Sequence, residues 1–318
     1  MHGRALVVAC AVLVWASAFA RASDPVLVVT DAAFGSAMVY HVDPATAEVR
    51  RAVDLRGTGP LGLTPLNGLA FDASGELLGF TPNTDNALYR VDRDTGEATF
   101  GGRLGIVTRE GGLAVAADGT IYGAGTGSPG RLFTINPTTG RATLGPTLSL
   151  STDISGLAAR SDGLLIGLDL STTQGPPALR TIDPETGEAV SLAALLPRID
   201  LADVGGLEII RIAGTEIGFY IVSADEPGAE AQLWRFDPFT GAQAPVGVIA
   251  GVGAVSGLAG IGGGCAADLD GDGEATIFDF LLLNNWFDAG DIRADIDGNG
   301  VIEVFDFLLF FNLFDLGC

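Results

Sequence analysis

The stretch LYRVDRDTG, Leu88–Gly96, has four relatives in the same chain: VYHVDPATA (Val39–Ala47), LFTINPTTG (Leu132–Gly140), LRTIDPETG (Leu179–Gly187) and LWRFDPFTG (Leu233–Gly241). Each begins as a short strand rich in Leu, Val, Ile and aromatic residues and ends in a turn. There Asp or Asn bonds forward onto its own backbone, Pro presets φ, and Gly takes a positive φ. A ligand motif is the other reading of this phrase. The turn is preferred, because all five copies fall where the chain has to reverse.

A second phrase alternates with the first. It reads NGLAFDASGELLGF, GGLAVAADGTIYGA, SGLAARSDGLLIGL, GGLEII and SGLAGI, with Gly-Leu pairs starting at Gly68, Gly112, Gly156, Gly206 and Gly257. The spacings are 44, 44, 50 and 51 residues. Together the phrases make a four-strand meander: GLAFD, GELLGF, ALYRVD, then a strand such as EATFGGRL after the turn. Four-strand units of this length predict a mainly β fold, a β-propeller.

The ends of the repeat region predict how the ring closes. PVLVVTD, MVYHVD and EVRRAVDL supply three strands but no leading Gly-Leu strand, and SGLAGI at the far end is the missing one. Joined, they complete a fifth blade and leave no sheet edge exposed. The expected propeller spans 23–261 with five blades; the longer units after Gly156 leave six as the alternative. The repeats resemble the loose LYxIDPxTG propeller units of secreted bacterial proteins. That resemblance speaks to architecture, and fold does not name function.

Composition narrows the rest. All 17 basic residues are Arg, against 39 acids, for a formal charge of −22. Such a surface excludes nucleic acid as a partner. ALVVACAVLVWASAFA (Ala5–Ala20), followed by Ala20-Arg21-Ala22, reads as a secretory signal peptide over 1–22. The apolar run is short for a membrane anchor and no other segment could span. A secreted or cell-surface bacterial protein is expected. Removal of the leader takes Cys10 and leaves Cys265 and Cys318, an isolated pair expected to bond in an oxidising compartment.

Between those cysteines, DLDGDGEATIFDF (Asp268–Phe280) is repeated 27 residues later as DIDGNGVIEVFDF (Asp295–Phe307). A calcium loop needs oxygen ligands around a hard cation and a glycine at the bend. The first copy offers Asp268, Asp270, Asp272, the Glu274 carbonyl, Thr276 and Asp279 at positions 1, 3, 5, 7, 9 and 12. The second offers Asp295, Asp297, Asn299, the Val301 carbonyl, Glu303 and Asp306 in the same places. Two such loops in register, each entering an apolar helix, predict two bound Ca2+ ions. Helices are expected near Ile277–Phe287 and Val304–Phe314.

Paired loops with Asp at position 12, each followed by one helix, resemble a dockerin. The Cys-bracketed segment 265–318, joined to the propeller by the glycines of 262–264, is similar to the C-terminal dockerin repeats of planctomycete secreted proteins. The resemblance implies a calcium-folded module that anchors its cargo to a cohesin-like receptor. At positions 10 and 11 this chain carries Ile277 and Phe278, then Val304 and Phe305, where well-studied dockerins include small polar residues that choose the partner. The calcium chemistry carries over; the partner's identity does not. With Trp286 and Phe311, these four residues form the expected partner face. The alternative is that helix pairing and packing bury them all, the module acting only as a cap.

For the propeller, the single histidine outside the leader is His41, on a strand. A Ser-His-Asp triad or a multi-histidine metal site is therefore excluded by count. Carboxylate chemistry at the mouth is what remains: Asn67, Glu110, Asp153 and Asp203 precede Gly-Leu strands and Glu208 follows one. A similar Asn/Asp/Glu set serves calcium-dependent lactonase-type propellers, so a hydrolase on the same anchor is the alternative to a binding propeller. Solubilising loop acids are the plain reading of these residues.

Overall fold

The protein is described here from a computed structural model covering residues 25–31, 37–58, 66–72, 74–81, 86–108, 111–125, 130–149, 153–171, 176–196, 204–212, 215–223, 229–262, 267–269, 275–296 and 301–316. The chain divides into two compact units, parted between Gly264 and Cys265.

The first unit is a five-bladed β-propeller, each blade an antiparallel meander. Blade one takes β1 (Val26–Asp31), β2 (Met38–Val42) and β3 (Val49–Asp54). After β4 (Arg56–Thr58), blade two takes β5 (Asn67–Phe71), β6 (Leu77–Thr81), β7 (Ala87–Val91) and β8 (Glu97–Arg103). Blade three is β9 (Gly111–Val115), β10 (Ile121–Gly125), β11 (Arg131–Ile135) and β12 (Ala142–Thr147). Blade four is β13 (Ile154–Ala159), β14 (Leu165–Asp169), β15 (Ala178–Ile182) and β16 (Ala189–Ala194). Blade five is β17 (Val204–Ile212), β18 (Thr215–Val222), β19 (Ala231–Phe236) and β20 (Gln243–Ile249). The last strand, β21 (Val255–Ile261), returns to blade one and pairs antiparallel with β1, from Val26 opposite Ile261 to Asp31 opposite Val255.

This closure is the one expected from the missing Gly-Leu strand. A detail the repeat did not announce is β4, which pairs parallel to β8, Arg56 opposite Glu97, and adds an outer strand to blade two.

The apolar core lies in the seams between blades. Val28 and Val39 of blade one, for example, pack with Leu69, Leu77 and Tyr89 of blade two. Toward the axis the Gly-Leu pairs meet. A Cβ built on Gly68 would lie 2.8 Å from the Leu113 nitrogen, and one on Gly156 the same distance from the Leu207 nitrogen. Gly206 would meet Leu258 nitrogen at 2.6 Å, Gly112 meets Leu157 more closely still, and Gly257 meets Leu69 Cγ at 2.7 Å. The five glycines therefore form a closed ring of contacts with no room for a side chain, which is why the phrase keeps Gly in every copy.

All five turns are built alike. Oδ1 of Asp92 accepts the Asp94 and Thr95 N–H groups at 2.9 and 3.0 Å, and Asn136 accepts those of Thr138 and Thr139 at 3.0 Å each. Asp43, Asp183 and Asp237 do the same. The fifth residue is left-handed in each: Gly96, Gly140, Gly187, Gly241 and, with φ 62°, Ala47. The second residue's carbonyl also receives a cationic or imidazole donor from the preceding blade in three seams. His41 Nε2 donates to Arg93 O at 2.8 Å, Arg90 to Pro137 O, and Arg160 to Pro238 O at 2.9 Å. His41 is thus a seam residue on a strand.

The second unit holds α1 (Ile277–Ala289) and α2 (Val304–Leu316), with a 3-10 turn at Ile292–Ala294. Thr276 caps α1 and Gly290 ends it in the left-handed region at φ 64°, so α1 runs two residues past the expected Phe287. Leu283, Phe310, Ala267 and Ala294 are fully buried, with Phe280, Phe287, Phe307 and Phe314 packed around them. Among the described residues no helix is long and apolar enough to cross a membrane.

Candidate metal centre and the propeller carboxylates

The two loops of the second unit close in the same way. Asp279 and Asp306, at position 12 of each loop and in the first turn of each helix, are both completely buried. Asp279 Oδ1 accepts the Leu269 N–H at 2.7 Å, and its Oδ2 accepts the Thr276 N–H at 2.7 Å. Asp306 Oδ1 accepts the Ile296 N–H at 2.8 Å, and its Oδ2 accepts the Glu303 N–H at 2.8 Å. Each carboxylate thus ties positions 2 and 9 of its loop to the helix that follows. Thr276 Oγ1 also accepts the Phe278 N–H, so its side chain caps α1.

Asp268, Asp295, Val301 and Glu303 lie on the loop segments that flank these carboxylates. Asp270, Asp272, Glu274, Asp297 and Asn299 lie outside the described residues, as do Cys265 and Cys318. Among the described residues no three His, Cys, Asp or Glu side chains gather as a metal site. The residues present nevertheless fit a hard cation. Burying two carboxylates is costly unless their charge is met, and segment 265–318 has one basic residue against twelve acids. That residue, Arg293, pairs with Asp291 and lies 4.6 Å over the Trp286 ring. The Arg293 hydrogen bonds hold the Asp291 carboxyl down at about 2.

The expected partner face is mostly exposed. Ile277, Phe278, Val304, Phe305 and Phe311 are each at least half exposed. Trp286 is less exposed than these five: its ring packs against the module's core and lies beneath the Arg293 guanidinium. Leu281 and Leu308 are also exposed, at 48% and 52%. Because the repeat is 27 residues, Ile277, Phe278 and Leu281 correspond to Val304, Phe305 and Leu308. The same apolar triad is therefore displayed twice. The 27-residue spacing alone implies that duplication.

In the propeller, Glu110 and Asp203 lie outside the described residues. Asn67 opens β5 and is half-buried. Asp153 precedes β13, and its backbone N–H donates to Asp169 Oδ1 at 2.9 Å. Its own Oδ1 is buried and accepts no hydrogen bond among the described residues. Burial first, and the Asp169 charge second, push the Asp153 carboxyl up. Asp169 itself is buried and ion-paired with buried Arg180. Sequence reasoning missed this pair; an Asp ending a second strand and an Arg diagonal to it on the same face of the third is the signal that was there. Glu208 does not sit with Asn67 and Asp153 at the start of an inner strand. It lies in the seam between blades five and one, where its carboxylate accepts the N–H groups of Ile209 at 2.8 Å and Gly260 at 3.2 Å.

No protein-family model matches the chain, and no curated protein sequence matches it. Solved structures similar to it include TolB from Acinetobacter baumannii, with a TM-score of 0.43 and 11% identity over 75% of this chain and 66% of that one. Hydrazine synthase of Kuenenia stuttgartiensis gives 0.39 and 15%, covering 65% of this chain and 59% of that one. Virginiamycin B lyase from Staphylococcus aureus gives 0.40 and 14%, covering 65% of each. The chain spans less than two thirds of the length of each of these structures. Likenesses at this level bear on fold alone, and the propeller assignment rests on the strand pairing described above.

Proposed function

We propose that the C-terminal unit is a calcium-folded, dockerin-like anchoring module and that the propeller is the binding cargo it displays on a secreted assembly or bacterial surface. The observation that carries this reading is the twofold display of one apolar triad beside two equivalently closed acidic loops. Calcium, held by the loop oxygens, would neutralise the buried Asp279 and Asp306 and so contribute folding free energy to the module. The triads Ile277/Phe278/Leu281 and Val304/Phe305/Leu308 would then be held as a rigid apolar surface for a cohesin-like receptor.

The test is capture by the full chain from the secreted and surface proteins of the source cell. A cohesin-type partner should be retained in calcium and released by a chelator. Phe278→Glu with Phe305→Glu should abolish retention while leaving the helices protected from hydrogen exchange. Retention indifferent to chelator and to both substitutions sinks the proposal.

A second reading, a carboxylate-dependent hydrolase carried on the same anchor, has one observation in its favour. Asp153 carries a buried carboxylate oxygen with no hydrogen bond among the described residues, and a raised pKa beside Asp169, a combination suited to proton transfer. Its test is hydrolysis of lactone and ester panels by the full chain. Activity lost in Asp153→Asn would support this reading, and no turnover by the wild type would remove it.

A further inference from the structure

Four of the five Gly-Leu strands continue with alanine, at Ala70, Ala114, Ala158 and Ala259, and all four are buried. The fifth continues with Glu208. These positions face the following blade: Ala70 packs among Phe80, Leu104 and Leu113 in the seam between blades two and three. Alternation along β17 sends Ile210 and Ile212 into the seam with blade one and Leu207 and Ile209 toward blade four. Glu208 therefore points into the seam with blade one, where a methyl group would be ordinary.

A second departure from the repeat makes room for it. The residue after this position is Phe71, Val115, Ala159 and Ile209 in four copies, and Gly260 in the copy that forms β21. A Cβ on Gly260 would press on Glu208 Cγ at 3.2 Å and on Ile210 more closely. Gly260 also answers chemically, since its N–H donates to Glu208 Oε2. As the innermost strand of blade one, β21 pairs with β1 along one edge only, and Glu208 supplies an acceptor on the other. The two departures thus meet at the seam where the chain's late strand closes the ring.

We propose that Glu208 makes this closure pH-dependent: as a neutral acid it is a hydrogen-bonded partner of β21, and once ionised it is a charge held in an apolar seam, so that β21 loosens. Among the described residues little offsets that charge. β21, β5 and β13 carry no ionisable side chain. On β18, Glu216 faces the other way, to the Ser161 N–H, and Tyr220 bonds Leu196 and Gln243. Arg211 is three residues along β17, on the opposite face of the sheet. Asp31 is at the far end of β1, held by the Met38 N–H and the Tyr40 hydroxyl, and His41 serves the seam with blade two. Glu208 keeps some surface within reach of water, but protein crowds it on all sides, and the crowding sets the cost of charging it. Burial accordingly pushes the carboxyl up to about 8, against the smaller lowering effects of the Ile209 and Gly260 N–H groups.

The sign follows from that direction. A folded state that keeps its proton to higher pH than the unfolded chain is favoured fully below the unfolded pKa and loses that advantage as pH rises through the folded one. The experiment is hydrogen exchange of peptides covering 255–261 in the full chain, from pH 5 to 8.5, corrected for intrinsic exchange. In the wild type the opening equilibrium of β21 should rise by up to about tenfold per pH unit across this window. Glu208→Gln keeps an acceptor for Gly260 without the charge and should remove that slope. Glu208→Ala, the residue of the other four copies, should remove it as well, and reads the result if the Gln protein does not fold. A wild-type profile without a slope, or the same slope in both variants, overturns the proposal.

Discussion

Asp279 accepts the backbone N–H of Leu269, ten residues before it, at 2.7 Å, and Asp306 repeats the bond to Ile296 at 2.8 Å. In each half of the module one fully buried carboxylate fixes where the acidic loop begins relative to its helix. Replacing either with Asn keeps the shape but removes the charge that strengthens the N–H bonds and that a cation would meet. Asp279→Asn and Asp306→Asn should each cost about 2 kcal/mol of module stability and raise the calcium concentration needed to protect 275–289 and 304–316 from hydrogen exchange. Equal calcium midpoints in wild type and variants would contradict the role assigned to these carboxylates.

The glycine ring gives a sharper contrast. A methyl group on Gly112 would fall on the Leu157 backbone, which cannot rotate away. Gly163 is the converse case: its φ is positive, 88°, yet a methyl there would meet nothing within 4 Å. Gly112→Ala should therefore cost about 3 kcal/mol or more, and Gly163→Ala about 1–2 kcal/mol from backbone strain alone. Urea midpoints of the two variants check this. Comparable losses would mean that the ring tolerates expansion.

Much of the propeller is legible in the sequence because each repeat states the same local physics. The turn residues fix the reversals, and the orphan SGLAGI fixes the closure. Single departures from a repeat are harder to read. Glu208 looks like a residue of the mouth when only its nearness to Gly206-Leu207 is considered; strand alternation and the loss of a side chain at Gly260 place it in a seam. Trp286 reads as one more apolar helix residue, and its contact with Arg293, seven residues on, is not announced by any repeat. β4 has no repeat partner at all, and its parallel pairing with β8 depends on a neighbour that lies about 40 residues away.

Ala47 is the one non-glycine with a positive φ among the described residues, at the place where the other turns carry Gly. Its methyl is buried in the seam between blades five and one. Glycine there would relieve about 1 kcal/mol of strain and give up about 0.8 kcal/mol of apolar burial. Ala47→Gly should therefore leave Tm within about 2 °C of the wild type. The reverse change, Gly187→Ala, drives a methyl onto the Thr147 carbonyl and should lower Tm several times further. A large stabilisation by Ala47→Gly would show that the methyl is not well packed.

The turns also set the acid limit of the propeller. Asp92 is held below the ordinary carboxylate range by the N–H groups of Thr95 and Asp94, Asp183 by those of Thr186 and Glu185, and Asp237 chiefly by those of Phe239 and Thr240. A depressed folded pKa means stability that is present above the unfolded value, about 3.9, and lost as pH falls through the folded one. Asn136 makes the same pair of bonds with no proton to gain, so the chain contains its own control. Replacing Asp92, Asp183 and Asp237 together with Asn should preserve the turns at neutral pH, remove three titrations, and move the acid unfolding midpoint to lower pH. Circular dichroism of the full chain between pH 2 and 5 reads the shift. An unchanged midpoint would mean that acid unfolding is governed elsewhere, and that these carboxylates serve only to shape the turn.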